Sequence, residues 1–189
     1  MISDTLKTTT RAAHDKIENT VDLVAATKDE VTYPEVLKAF YAYYLPLEAK
    51  LFTYHDQFAD IGINLNTRLK TGLIAFDLET LGFRSAELET IKLCEDLPAI
   101  PDFYAAMGCL YVLEGSTLGG QVICKNLKSC DTFFRAYDDQ TMVMWNSFKN
   151  VLNNLPADKE QIIAKAARET FSTLNKWLAS FNFTPTTKH

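Results

Sequence analysis

Three observations in the sequence predict an all-α fold, a single compact multi-helix domain. Apolar residues recur at helical spacing from end to end, and alternating β-branched runs joined by Asn-Gly or Asp-Gly turns are missing. The chain has 189 residues, 47% of them apolar, enough for one sizeable core but too short for two. Residues 3 to about 20 form a first amphipathic helix with Leu6, Ala13 and Ile17 on its apolar side. Thr32 to Glu35 reads as a capping box with Pro34 in the first turn. It opens a long helix through Phe40, Tyr44, Leu47 and Leu51 to about Phe58, which Pro46 should kink. Shorter helices are predicted at about 66–80, stopped by Gly82, and at about 85–96, stopped near Pro98. Pro101 and Asp102 then open a helix that runs to about Lys128. The last two helices span about 139–154 and 157–180, with Asn153 to Pro156 between them. The domain is expected to occupy residues 1–182, leaving 183–189 as a flexible polar tail.

Nineteen Lys and Arg against 24 Asp and Glu give a formal charge of -5 and a pI near 5.2. No overall basic surface follows, which argues against nucleic acid or an anionic membrane as the main partner. No apolar run approaches the roughly 18 residues needed to cross a bilayer, and the opening Met1 to Asp4 is no secretory leader, so a cytoplasmic location is expected. Cys94, Cys109, Cys124 and Cys130 form no CxxC pair, and three of them sit in apolar helical sequence. They read as reduced, buried thiols, not as a disulfide scaffold.

Four of the seven glycines, Gly108, Gly115, Gly119 and Gly120, fall within a short stretch that otherwise reads as a buried helix. Each interior glycine sacrifices about 1 kcal/mol of helix stability relative to alanine. What is gained is a bare backbone that can lie against a flat ligand or another helix. Close packing explains Gly108, but it does not require Gly119 and Gly120 to be adjacent, so a planar cofactor is the favoured reading. A second pattern lies on the first helix, where Lys7, Arg11, His14 and Glu18 follow at helical spacings in one stripe. His14 can offer a neutral imidazole nitrogen to a metal while Glu18, one turn on, accepts the other ring N–H. Lys7 and Arg11 can meet acidic groups of the same ligand. A histidine among surface charges is more often only a surface residue, so His14 carries little weight alone.

Taken together, His14 in the stretch Thr10 to Glu18 and the motif from Tyr111 to Ile123 resemble the heme oxygenase family, its bacterial members above all. The length and the helical pattern extend the resemblance over nearly the whole chain. It implies that heme is gripped between the first helix and the glycine-bearing helix. His14 would be the proximal ligand to iron, Glu18 its orienting partner, and Lys7 and Arg11 the partners of the propionates. Gly115, Gly119 and Gly120 would lie over the other heme face. The implied reaction cleaves heme with O2 and external electrons to biliverdin, CO and Fe2+, heme being both cofactor and substrate. Many relatives carry an aspartate where this chain has Ser116, so proton delivery here would rest on a hydroxyl and ordered water. The electron donor would be a separate flavodoxin, ferredoxin or reductase, because no flavin or nicotinamide fingerprint is present.

Those relatives also hold the propionates with basic residues on a later helix, and the matching stretch here, near Asp138 to Trp145, contains none. Lys125, Lys128 and Arg135 are the candidates in their place. A heme carrier or sensor that keeps the site without cleaving the ring stays open, as does a helical partner protein with no heme at all. His55 lacks a basic companion stripe and reads as a surface residue. A di-iron bundle fails because neither His14 nor His55 has a glutamate three residues earlier. Cys94 and Cys109 lack the activating charge that a nucleophilic thiaminase-like hydrolase needs.

Overall fold

The computed structural model describes residues 1–20, 22–125, 127, 131–181 and 183, with the backbone alone at 18–20. Among these residues the chain forms ten α-helices and no strand. They are α1 (Ile2–Thr20), α2 (Leu23–Ala26), α3 (Thr32–Phe52), α4 (His55–Asp60), α5 (Thr71–Thr80), α6 (Ser85–Leu88), α7 (Phe103–Cys124), α8 (Thr132–Arg135), α9 (Thr141–Asn153) and α10 (Glu160–Ala179). Short 3-10 turns lie at Leu65–Thr67, Asp138–Gln140 and Ala157–Lys159.

The centre of the core is α7, whose residues from Ala105 to Glu114 are buried on every side. α10 packs along both α7 and α1, while α8 and α9 close against α7. α1 buries Ile2, Leu6 and Thr10 and keeps Lys7, Arg11 and His14 exposed, as its amphipathic pattern dictates. Its start is pinned by the Ser3 N–H, which donates to Asn153 Oδ1 at 2.9 Å.

Several boundaries differ from the sequence reading, each for a local reason. Thr32 does not cap α3. The carboxylate of Asp29 takes that role, its Oδ1 accepting the N–H of Val31 at 3.0 Å and of Thr32 at 2.8 Å. α3 ends at Phe52, and α4 is a separate helix. Pro46 stays inside α3. It lacks the N–H that would bond the Ala42 carbonyl, and the Cys94 N–H fills that place at 2.9 Å. With Pro98 and Pro101, this bond holds 92–101 out of helical conformation, so the helix predicted at 85–96 is only the single turn α6.

The helix predicted at 66–80 is broken because Glu48 caps α5 from the side. Its Oε1 accepts the Lys70 N–H at 2.6 Å, and its Oε2 accepts the Thr71 N–H at 3.1 Å and the Thr71 hydroxyl at 2.6 Å. Gly82, at φ 98°, ends that region as expected. α7 opens at Asp102, whose carboxylate accepts the Ala105 N–H at 2.8 Å, but it stops at Cys124. Lys128, where the sequence placed its end, lies outside the described residues, as do Cys130 and 184–189. The single turns α2 and α8 are too short to leave a periodic pattern. Cys94, Cys109 and Cys124 are free thiols. Among the described residues no helix is long and apolar enough to cross a membrane.

Candidate active site

At Gly115 the character of α7 changes. From Ala105 to Glu114 the helix is wholly buried; after Gly115, Ser116, Gly119 and Val122 form an exposed stripe while Thr117, Gly120 and Ile123 face inward. The four glycines divide with it. A Cβ on Gly108 would collide with the carbonyl oxygen of Ile163 on α10 and lie 2.9 Å from the Ala166 Cβ. A Cβ on Gly120 would collide with the Phe134 carbonyl of α8. Both positions let one backbone press against another. Among the described residues a Cβ on Gly119 would meet nothing within 4 Å, and on Gly115 only the edge of the Trp145 ring, at 3.7 Å. Packing requires glycine at Gly108 and Gly120 but not at the other two, where Gly115 has room for a Cβ beside Trp145 and Gly119 is open.

The neighbours of this face come from three helices. The buried Tyr44 of α3 has its hydroxyl 3.1 Å from Ser116 Oγ, which donates to the Leu113 carbonyl at 2.7 Å. Trp145 of α9 stacks on Phe148, with centroids 6.0 Å apart, and lies 5.5 Å from the Tyr111 ring. One turn further along α9, Lys149 holds its Nζ 5.5 Å from the Trp145 centroid. α1 reaches α7 where Thr10 hydrogen-bonds Tyr111; burial pushes the Tyr111 hydroxyl pKa up, and the Thr10 bond pulls it back.

The next turn of α1 carries His14, and the next turn of α7 carries Gly115. His14 is exposed, its ring edge-on to Phe171 of α10 at 6.0 Å. Lys7 and Arg11 are exposed in the same stripe, with Arg11 Nε 3.9 Å from Asp15. The Glu18 side chain lies outside the described residues. Arg135 is engaged by Asp131 and Asp138. Lys125 is exposed at the end of α7, and His55 lies beside Asp56 and Asn66.

The sequence reading missed a buried ionic cluster directly beneath Gly115. Glu114 is fully buried and pairs with Arg68 and, at 3.2 Å, with Lys70 Nζ, while the Tyr137 hydroxyl donates to it at 2.5 Å. Lys70 also donates to the Tyr137 oxygen at 2.7 Å and to the Arg68 carbonyl. Burial pulls the Lys70 ammonium pKa down against the raising effect of Glu114, and burial pushes the Tyr137 hydroxyl up. One signal was available: a carboxylate inside the apolar run that precedes Gly115 requires partners brought to it.

A profile described as Heme oxygenase matches residues 1–180. The chain belongs to the heme oxygenase family. No curated protein matches it. Membership fits the all-α domain and supports heme degradation in general terms as the chemistry of this family member.

Proposed function

We propose that this protein holds heme between α1 and the exposed stripe of α7 and cleaves it with O2 and external electrons to biliverdin, CO and Fe2+. The observation that carries the reading is that Gly119 has no described residue within 4 Å of where a Cβ would stand, on a helix where glycine is costly. Heme suits the residues present: a bare helix face flanked by an aromatic ring, one exposed imidazole, and cations for two propionates.

In this reading His14 gives its imidazole to the iron, and Glu18 fixes its tautomer. Lys7 and Arg11 meet the propionates, joined by Lys149, which lies just past the stretch where the sequence offered no base. Bound heme supplies both the iron at which O2 is reduced and the ring that is broken. Gly115 and Gly119 keep that side of the ring free of side chains. Gly120 serves by admitting α8 against α7, not by touching the ligand. Ser116 Oγ holds a proton at the open face and turns from the Leu113 carbonyl to deliver it. Solvent at that exposed face returns the proton to Ser116, while the Tyr44 hydroxyl, kept protonated because burial pushes its pKa up, donates to Ser116 Oγ and fixes where it stands. Electrons come from a separate flavodoxin, ferredoxin or reductase, and the site lies within a domain of residues 1–182.

The test is one equivalent of hemin added to the protein, with ascorbate or a ferredoxin reductase system in air, followed by visible absorption. Decay of the Soret band with growth of biliverdin absorption, impaired in His14→Ala, is the expected result. A Soret band that never decays would make the protein a carrier or sensor, and absence of any Soret change would remove the heme site.

A further inference from the structure

The buried cluster around Glu114 is not used in the chemistry above, yet it joins five parts of the chain. Glu48 of α3 holds the backbone N–H groups of Lys70 and Thr71. Arg68 and Lys70 reach from that segment to Glu114 of α7. Tyr137, between α8 and α9, donates to Glu114 and accepts from Lys70. Arg68 also donates to the Met144 carbonyl of α9 at 3.4 Å. Each hydroxyl, ammonium and carboxylate oxygen of the cluster has a partner, and the two acids offset the two bases, so it is a closed internal structure.

Two details show what it constrains. The residues on either side of Tyr137, Ala136 at φ 50° and Asp138 at φ 52°, both stand in the left-handed region that favours glycine, so the turn into α9 is held there by contacts it makes elsewhere. One such contact is the Tyr137 hydroxyl on Glu114; Gln121 of α7 supplies another, its amide donating to the Arg135 carbonyl at 2.8 Å and to the Thr141 hydroxyl at 3.1 Å. The cluster also grips the start of α9 twice, at Tyr137 before it and at the Met144 carbonyl within it. Trp145 follows Met144 directly and lies against Gly115, the residue after Glu114.

We infer that Tyr137, through Glu114 and Lys70, is a positioning residue that sets where Trp145 stands against Gly115, and so sets the width of the heme site. The consequence for heme rests on the function proposed above; the consequence for Trp145 does not. Tyr137→Phe removes one hydroxyl and leaves a ring of the same shape. α9 then settles differently on α7, Trp145 moves, and hemin binds more weakly. Ala136→Gly keeps the hydroxyl and relieves the backbone, and it leaves Trp145 in place.

The experiment uses the whole chain labelled with 5-fluorotryptophan. Fluorine NMR gives two lines, Trp145 and Trp177, assigned with Trp177→Phe. Trp177 donates its ring N–H to the Ala39 carbonyl at 2.8 Å and lies on α10, so it reports on the rest of the fold. In Tyr137→Phe the Trp145 line is expected to shift or broaden while the Trp177 line stays, and the hemin dissociation constant is expected to rise about tenfold. In Ala136→Gly both lines are expected to stay. An unmoved Trp145 line in Tyr137→Phe overturns the inference. So does movement of both lines together, which would mean general loosening, or movement in Ala136→Gly alone, which would assign the effect to the backbone turn. If wild type binds no hemin but the Trp145 line still moves alone, the positioning stands and the heme reading falls.

Discussion

Gly108 and Gly119 lie three turns apart on α7 and are glycine for opposite reasons. At Gly108 a Cβ would run into the backbone of α10; at Gly119 it would meet none of the described residues within 4 Å. The first glycine permits an approach between helices, and the loss of helix propensity is offset by core contact. The second gains no contact within the protein and leaves a surface bare. A small-residue motif read as one unit therefore conceals two functions, and each residue's surroundings separate them.

The comparison is sharpest in variants that should affect one half and spare the other. His14→Ala is expected to lower heme turnover by at least about 100-fold, since even partners of metal ligands are worth 10–100-fold, while leaving the thermal midpoint within about 2 °C because the side chain is exposed. Turnover and calorimetry on the same preparation check this. Gly108→Ala is expected to do the reverse. Displacing the Ile163 carbonyl should cost about 3 kcal/mol and lower the midpoint by about 6–12 °C, with hemin affinity per folded molecule unchanged.

These two residues also show how far the sequence could be read. The helical period gave α1, α7, α9 and α10 to within a few residues, because each is long and presents a sustained apolar face. It failed for 85–96, where a carbonyl freed by Pro46 captures the Cys94 N–H, a bond between residues far apart in the chain. The glycine motif was visible as a motif, but its division into packed and bare positions depends on what α8 and α10 bring to it. The Glu114 cluster was invisible for the same reason: nothing in the sequence singles out Arg68 and Lys70 until α7 is placed against them.

Smaller effects refine the two halves. Lys149→Ala is expected to weaken hemin binding by about two- to fivefold, the range of a partly exposed ion pair, and to leave folding unaffected; a Soret titration measures it. In the packed half, burial holds the Cys109 thiol up at about 11, above its ordinary 9.0. The folded state then keeps a proton that the unfolded chain gives up, so the stabilisation is fully present below pH 9 and is lost as pH rises towards 11. It amounts to about 3 kcal/mol at most. Denaturant midpoints between pH 8.5 and 11 should fall more steeply for wild type than for Cys109→Ala.

The central claim, that Gly115 and Gly119 are kept bare for a ligand and not for the fold, is tested most directly by Gly119→Ala, with thermal midpoint and hemin-dependent biliverdin formation measured together. Alanine is the better helix former by about 1 kcal/mol and meets no neighbour here, so the midpoint is expected to rise by about 2–4 °C while biliverdin formation falls at least tenfold. A lowered midpoint with undiminished turnover would contradict the account, because it would make Gly119 a packing glycine like Gly108.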